Sequence, residues 1–257
     1  MPTARVVAVT QDDPFFTGRF FESFLECAPP EVELVEVVLL RNFNESPIAL
    51  ARRLERFYGP VDFMRLMTRY GRAKAADRRG GARSVEAVAA RYGVQVRRLA
   101  TINDSAYLAT LGERDIDVLL SVAAPEIFGA DALQAAPQVL NVHSGRLPDY
   151  RGMMPTFWAL LDGADEVIVT VHEMVEHLDA GRVLGEFPVA IAPGDTAFDV
   201  SRNAKAVAGR RVAALLATAG TQSWPPARPI DVASGTYRGF PRREDAERLR
   251  AAGQRLL

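Results

Sequence analysis

The chain has 257 residues, of which 48% are hydrophobic and 25% charged; its 31 lysines and arginines nearly balance 32 acids. That length allows one large domain, or one domain with an extension, and a net charge of −1 argues against a surface built for nucleic acid. A single cysteine, Cys27, excludes an internal disulfide and a multi-cysteine zinc site, no apolar run approaches the roughly 18 residues of a membrane span, and no signal-peptide pattern opens the chain, so a cytoplasmic protein is expected.

In chain order, Arg5 to Thr10 is a valine-rich run that reads as a buried strand. Gln11-Asp12-Asp13-Pro14 breaks it, with an aspartate placed to cap the helix expected from Phe15 to Ala28 and Pro14 in its first turn. Cys27 falls in that apolar helix and reads as a small core residue. Leu34 to Leu40 is a second strand, so the opening is βαβ and implies a parallel sheet. Two helical segments follow, Pro47 to Tyr58 and Val61 to Ala76, then a polar loop and a helix capped by Ser84. Val94 to Leu99 is a strand and Asp104 to Leu111 a helix. Asp117 to Val122 is a strand, Ala130 to Ala136 a short helix, and Val139 to Val142 a strand with His143 at its carboxyl end. In open α/β sheets ligands collect at such ends. Met154 to Leu161 reads as a helix, Val167 to Met174 and Val183 to Ile191 as strands, and Thr196 to Ala219 as a long helix with one packed stripe. The tail from Gln222 onward is proline-rich, then charged and helical, and reads as an appendage packed on the main domain. Only Lys74 and Lys205 are lysines among the many basic residues, which reads as compositional bias.

The three histidines, His143, His172 and His177, all fall between Asn141 and Asp179. An amide donor, an imidazole and a carboxylate are the groups that acyl transfer to an amine needs. The reaction passes through a tetrahedral carbon whose oxyanion wants preorganised donors, each worth roughly 3 kcal/mol in comparable sites. Asn141 and His143, two apart on a strand, face the same side. Asp179 can raise the His143 pKa or take the amine's proton. The residues alone leave other readings open: an incidental Asn-x-His, His172 as an ordinary strand residue, His177 in a loop, Asp179-Ala180-Gly181 as a turn. A metal cluster of His143, His172, His177 and Asp179 lacks a tight ligand pair, so no metal is expected.

The text around these residues resembles the folate-dependent formyltransferase family, which includes glycinamide ribonucleotide, methionyl-tRNA and sugar-amine formyltransferases. The matching stretches are Asn141-Val142-His143, Leu147-Pro148-Asp149-Tyr150-Arg151-Gly152, Val169-Thr170-Val171-His172 and Leu178-Asp179-Ala180-Gly181, within Asp117 to Ile191. Thr10 to Phe16 and Tyr237 to Pro241 look like a bacterial branch of that family. The resemblance implies a Rossmann-like α/β fold, mostly parallel, with helices on both faces. The catalytic domain would span 1–220, with a short helical extension over 221–257. It implies 10-formyltetrahydrofolate as co-substrate and Asn141, His143 and Asp179 as the catalytic residues. Folate contacts would come from Val122, Ala123, Ala124, Pro125 and Ile127 and from Val175, Glu176, His177 and Leu178.

Three departures bear on the acceptor. Arg146 replaces a leucine and Ile168 a glycine. Gln11, Asp12 and Asp13 stand where the purine-pathway enzymes carry a glycine- and serine-rich phosphate loop. Carboxylates repel phosphate, which argues against glycinamide ribonucleotide. Asp12 and Asp13 read either as a helix cap or as a grip on the acceptor ammonium, and Gln11 and Arg146 join them as candidate acceptor contacts. The expected activity is N-formylation of a small primary amine, such as an amino sugar or a polysaccharide or natural-product precursor. The alternatives are a 10-formyltetrahydrofolate hydrolase, a methionyl-tRNA formyltransferase-like enzyme without the usual C-terminal domain, and a non-catalytic folate-binding module. Expected partners are folate and the amine, with neither nucleic acid nor membrane; the oligomeric state stays open, a homodimer being one option.

Overall fold

The computed structural model describes residues 4–11, 13, 15–41, 46–81, 83–221 and 224–257. Its first half follows the valine-rich runs: β1 (Ala4–Gln11), α1 (Thr17–Cys27), β2 (Val32–Leu40), α2 (Pro47–Arg78), α3 (Val85–Arg91), β3 (Gln95–Leu99), α4 (Ser105–Glu113) and β4 (Val118–Val122). Then come α5 (Ala130–Leu133), β5 (Gln138–His143), β6 (Arg151–Gly152), α6 (Pro155–Leu161), β7 (Glu166–Glu173), β8 (Val183–Ala190), α7 (Ala197–Thr221), β9 (Tyr237–Arg238) and α8 (Arg243–Ala251). Among the described residues, seven strands form one sheet in the order β3-β2-β1-β4-β5-β7-β8. The first five are mutually parallel, and β7 and β8 add antiparallel.

Both faces of the sheet are covered, which is why β4 is buried along its whole length. Alternation sorts the side chains. Val6, Ala8, Leu120 and Leu140 meet Phe20, Phe21 and Phe24 of α1 and Ala204, Ala208 and Val212 of α7. Val7, Val9, Leu119 and Val139 meet Leu108 and Leu111 of α4 and Ala132 of α5. α1 and α7 approach so closely that a Cβ at Gly209 would lie 2.3 Å from the Phe20 carbonyl oxygen.

The two helical segments expected over 47–76 form one kinked element, bent at Gly59 (φ 75, ψ 165) and Pro60. Ser46 and Ser84 cap their helices through Ala49 N–H (3.2 Å) and Ala87 N–H (3.3 Å). α5 ends at Leu133, short of Ala136. Cys27 is exposed, contrary to the core reading, because it is the last residue of α1. The tail turns back onto the domain. β9 pairs with β6, and Ala246, Leu249 and Leu256 pack on Phe57, Phe157 and Leu160. Among the described residues no helix is long and apolar enough to cross a membrane.

Candidate active site

β5 ends at His143, beside the ends of β1 and β4. Antiparallel pairing with β7 sets His172 directly opposite Asn141 and Thr170 opposite His143. Opposed residues project to the same face, so Asn141 and His172 meet there. The His172 Nδ1–H donates to the Glu173 carbonyl at 2.8 Å, which leaves Nε2 to accept from the Asn141 amide at 3.1 Å. Asn141 keeps its second amide hydrogen. The His143 Nε2–H donates to the Tyr150 carbonyl at 2.6 Å, so its Nδ1 is the open nitrogen. Asp179 completes the arrangement: its Oδ1 lies 3.7 Å from His143 Nδ1 and 3.6 Å from His172 Nε2. Its Oδ2 accepts the Gly152 N–H at 2.8 Å. Asn141, His172, Asp179 and His143 thus form one chain of neighbours.

The loop that delivers Asp179 is shaped for a single position. Asp179 has φ 51, in the left-handed region that residues with a Cβ rarely adopt. Two residues on, a Cβ at Gly181 would stand 1.9 Å from the Glu173 carbonyl oxygen, so only glycine lets the turn close against β7. Arg151 clamps the same loop through the Leu178 carbonyl at 2.7 Å. Ala123 (φ 52) and Met154 (φ 51) share the left-handed backbone, and both line the cavity that Asp179 faces. Such strain gathers where a site must be held open or aimed.

Burial pushes the His143 imidazole below its ordinary value, and the pull of Asp179 does not overcome it. The ring is therefore neutral at rest. Burial would push the Asp179 carboxyl up. The charge of the neighbouring His143 ring once it is protonated in acid, with the His172 ring and the Gly152 N–H, outweighs it and holds the carboxyl well below the usual carboxylate range. Across the cavity, burial raises Asp13 despite hydrogen bonds from the backbone of Phe15, Thr17 and Phe16. Burial likewise lowers Lys205 to about 8 against the opposing charge of Asp13, and burial with the Asp13 charge pushes Tyr58 up to about 12.

These groups line one cavity of about 920 Å³. Of the expected folate contacts, Ala123, Ala124, Pro125, Ile127, Val175, His177 and Leu178 line it. Val122 does not: it is fully buried in β4, with its carbonyl accepting from Thr10 Oγ1 at 2.7 Å. Glu176 is exposed and outside the lining. Of the expected acceptor contacts, Gln11 and Asp13 line the cavity. Arg146 does not; it is exposed, turns to Glu166 at 3.4 Å, and borders a separate recess. Asp12 lies outside the described residues. Asp13 accepts from Phe15 N–H at 2.7 Å and Thr17 N–H at 3.4 Å, as the cap reading expects. Among the described residues no group of three or more His, Cys, Asp or Glu is placed to hold a metal ion, and His177 sits exposed in its loop.

Three residues here make contacts that the sequence did not assign to them. The sequence leaves His172 open between an ordinary strand residue and a member of a metal cluster, and the β5–β7 register sets it against Asn141. Lys205 was hidden in the stripe of α7. Glu126 anchors the loop after β4 by accepting from the Thr101 hydroxyl, Ile102 N–H (2.9 Å) and the Asn103 amide (3.1 Å).

A model of the formyl transferase family matches residues 44–214, a wider span than the motif-bearing stretch from Asp117 to Ile191. Solved structures similar in fold include a sugar N-formyltransferase from a Shewanella species, with a TM-score of 0.56 and 16% identity, covering 92% of this chain and 76% of that one. A glycinamide ribonucleotide transformylase 1 from Symbiobacterium toebii gives 0.57 and 17%, covering 89% and 95%. A 4-N formyltransferase from Francisella tularensis gives 0.58 and 14%, covering 93% and 78%. At these identities the likeness to the solved structures is one of fold.

Proposed function

The chain belongs to the formyl transferase family, and from that premise we propose that it moves a formyl group from 10-formyltetrahydrofolate to the primary amine of a small molecule. The observation that carries this reading is the continuous set Asn141, His172, Asp179 and His143 on the wall of one large cavity. In the same reading residues 1–220 are the catalytic domain and 221–257 an extension packed on it.

The residues present suit the folate. Ile127, Val175, Leu178 and Tyr237 form an apolar rim that is 63%, 44%, 45% and 55% exposed, which an aromatic ligand would cover. The strained backbone at Ala123 and the loop from Val175 to Asp179 supply main-chain donors and acceptors beside it. 10-Formyltetrahydrofolate supplies the formyl carbon and leaves as tetrahydrofolate. Asn141 holds its spare N–H toward the oxygen on which negative charge grows. Neutral His143, pinned through Nε2–H to Tyr150, takes a proton at Nδ1. Ionised Asp179 then faces an imidazolium, turning a carboxylate opposite a lone pair into an ion pair. Asp179 thereby favours transfer of the attacking amine's proton to His143, directly or through water, and the imidazolium would return that proton to the folate nitrogen as its bond to the formyl carbon breaks.

The test incubates purified protein and 10-formyltetrahydrofolate with a panel of primary amines, amino sugars included, and reads tetrahydrofolate release together with the formyl mass gain. Release that depends on the amine is expected. Release of free formate at the same rate without amine would make the chain a hydrolase instead. His143→Ala and Asp179→Asn are each expected to lower turnover at least ~100-fold, the scale of general acid–base groups. Turnover close to wild type in either would remove that residue from the chemistry.

A further inference from the structure

The α1–α7 side of the cavity differs from the folate side. Phe15, Phe16 and Phe198 pack with ring centroids 5.0 to 6.1 Å apart, and Tyr70 of α2 closes against Phe15 at 6.2 Å. Lys205 shares this wall with Phe198 and Ser201, at spacings of four and three along α7 that put the three on one stripe. Among the described residues, no hydrogen bond or ion pair reaches its ammonium, and Asp13 acts on it only as a more distant charge. A partly buried ammonium without a partner is costly, and an anionic group arriving beside it offsets that cost. With a value of about 8, Lys205 is still protonated at neutral pH. Gln11 also lines the cavity, and its Oε1 is buried with no partner among the described residues.

The wall is poorly suited to phosphate. The first amides of a helix ordinarily welcome a phosphate, but at the entry to α1 the Asp13 carboxylate accepts from Phe15 N–H, just before the helix, at 2.7 Å and from Thr17 N–H, its first amide, at 3.4 Å. Arg53, the other long cation of the lining, lies over Phe240 with its guanidinium carbon 4.5 Å from the ring centroid. A diphosphate would meet one open ammonium and, elsewhere in the same lining, the Asp13 carboxylate. A single carboxylate matches what is available.

We propose that the acceptor is an aromatic primary amine bearing one carboxylate, with Lys205 pairing the carboxylate, the Phe15–Phe16–Phe198 wall holding the ring and Gln11 Oε1 accepting an amine N–H. The inference rests on the formyl-transfer reading and narrows it, setting nucleotide-linked amino sugars and phosphorylated amines outside the acceptor class.

The experiment compares L-phenylalanine and 4-(aminomethyl)benzoate with phenethylamine and benzylamine, their counterparts without carboxylate, and with a thymidine-diphosphate amino sugar. Formylation is followed by mass, and binding by calorimetry with the folate bound. At least ~10-fold higher kcat/KM or affinity is expected for the carboxylated aromatic amines over their counterparts, about one ion pair's worth of discrimination. Lys205→Met is expected to erase that ratio through KM, Lys205→Arg to keep part of it, and Lys205→Met to melt at or above the wild-type temperature. Formyl transfer confined to the nucleotide amino sugar overturns the proposal and leaves the formyltransferase reading standing. So does equal weakening of both amine types by Lys205→Met, or no saturable binding of any carboxylated aromatic probe. Failure of 10-formyltetrahydrofolate itself to bind removes the formyltransferase reading first.

Discussion

The protonation state of His143 decides how turnover responds to pH. Its Nε2–H is committed to the Tyr150 carbonyl, and burial keeps Nδ1 unprotonated below the ordinary imidazole value of 6.5. The acid limb of kcat/KM is therefore expected to have its midpoint below pH 6.5, and to move still lower in Asp179→Asn, which removes the charge that favours the imidazolium. A midpoint at or above 6.5 would mean that the Asp179 charge, not burial, sets the ring. Stability follows the same signs. A histidine whose folded value is depressed contributes fully above pH 6.5 and less as pH falls below it. Asp179, depressed from 3.8, contributes above that value and loses it only in stronger acid. At this scale Asn141, His143 and Asp179 were readable from the chain because the neighbouring motifs mark them. His172 and Lys205 were not, since a histidine in a valine-rich strand and a lysine in an alanine-rich helix carry no local sign of what they face. Their partners come from a strand register and from the cavity wall.

Among the elements, the pairing of β5 with β7 and the turn that follows β7 do most to assemble the site. The valine runs and strand ends announced the sheet, because parallel strands buried on both faces leave continuous apolar text. The antiparallel register of β5 and β7 left no such text, since either register would bury the same valines. The turn carrying Asp179 is held by the close approach at Gly181, where an added methyl would sit 1.9 Å from the Glu173 carbonyl oxygen. Backbone must move to admit it. Gly181→Ala is therefore expected to displace Asp179 from His143 and Gly152 and to lower kcat by about 100-fold, the penalty of a misplaced catalytic group. The sheet should stay folded, so melting would shift by a few degrees only. Assay of kcat beside thermal melting checks this: a normal kcat would show that the loop tolerates a shifted backbone and that the placement of Asp179 is looser than its contacts imply. The kink of α2 at Gly59 and Pro60 was legible as two helices, because glycine and proline together interrupt the ladder. What α2 covers was not, since its cavity-facing residues Leu54, Met67 and Tyr70 look like any apolar stripe.

For the molecule as a whole, the tail is more than a cover added to a finished domain. Its last carbonyls, at Arg255 and Leu256, accept the free amides of Ala197 (2.8 Å) and Phe198 (3.0 Å) at the start of α7. Arg250 ties α8 to α2 through Asp62 at 2.9 Å. β9 holds β6, whose Gly152 supplies the N–H that fixes Asp179. Tyr237, Phe240 and Leu256 line the cavity. Leu249, fully buried against the cluster of Phe57 and Phe157, is the side chain on which this docking can be tested. Leu249→Ala is expected to cost about 2–5 kcal/mol, the range for a buried leucine whose cavity relaxes only in part. At about 2–4 °C per kcal/mol for a chain of this size, melting should fall by several degrees or more. An independently docked appendage would lose that stability with unchanged kinetics. If the tail is part of the site, the KM for the acceptor should rise in Leu249→Ala even well below its melting temperature, because the Leu256 and Phe240 wall loosens with α8. A lowered melting temperature with unaltered KM would assign the tail to stability alone and return the acceptor wall to α1, α2 and α7.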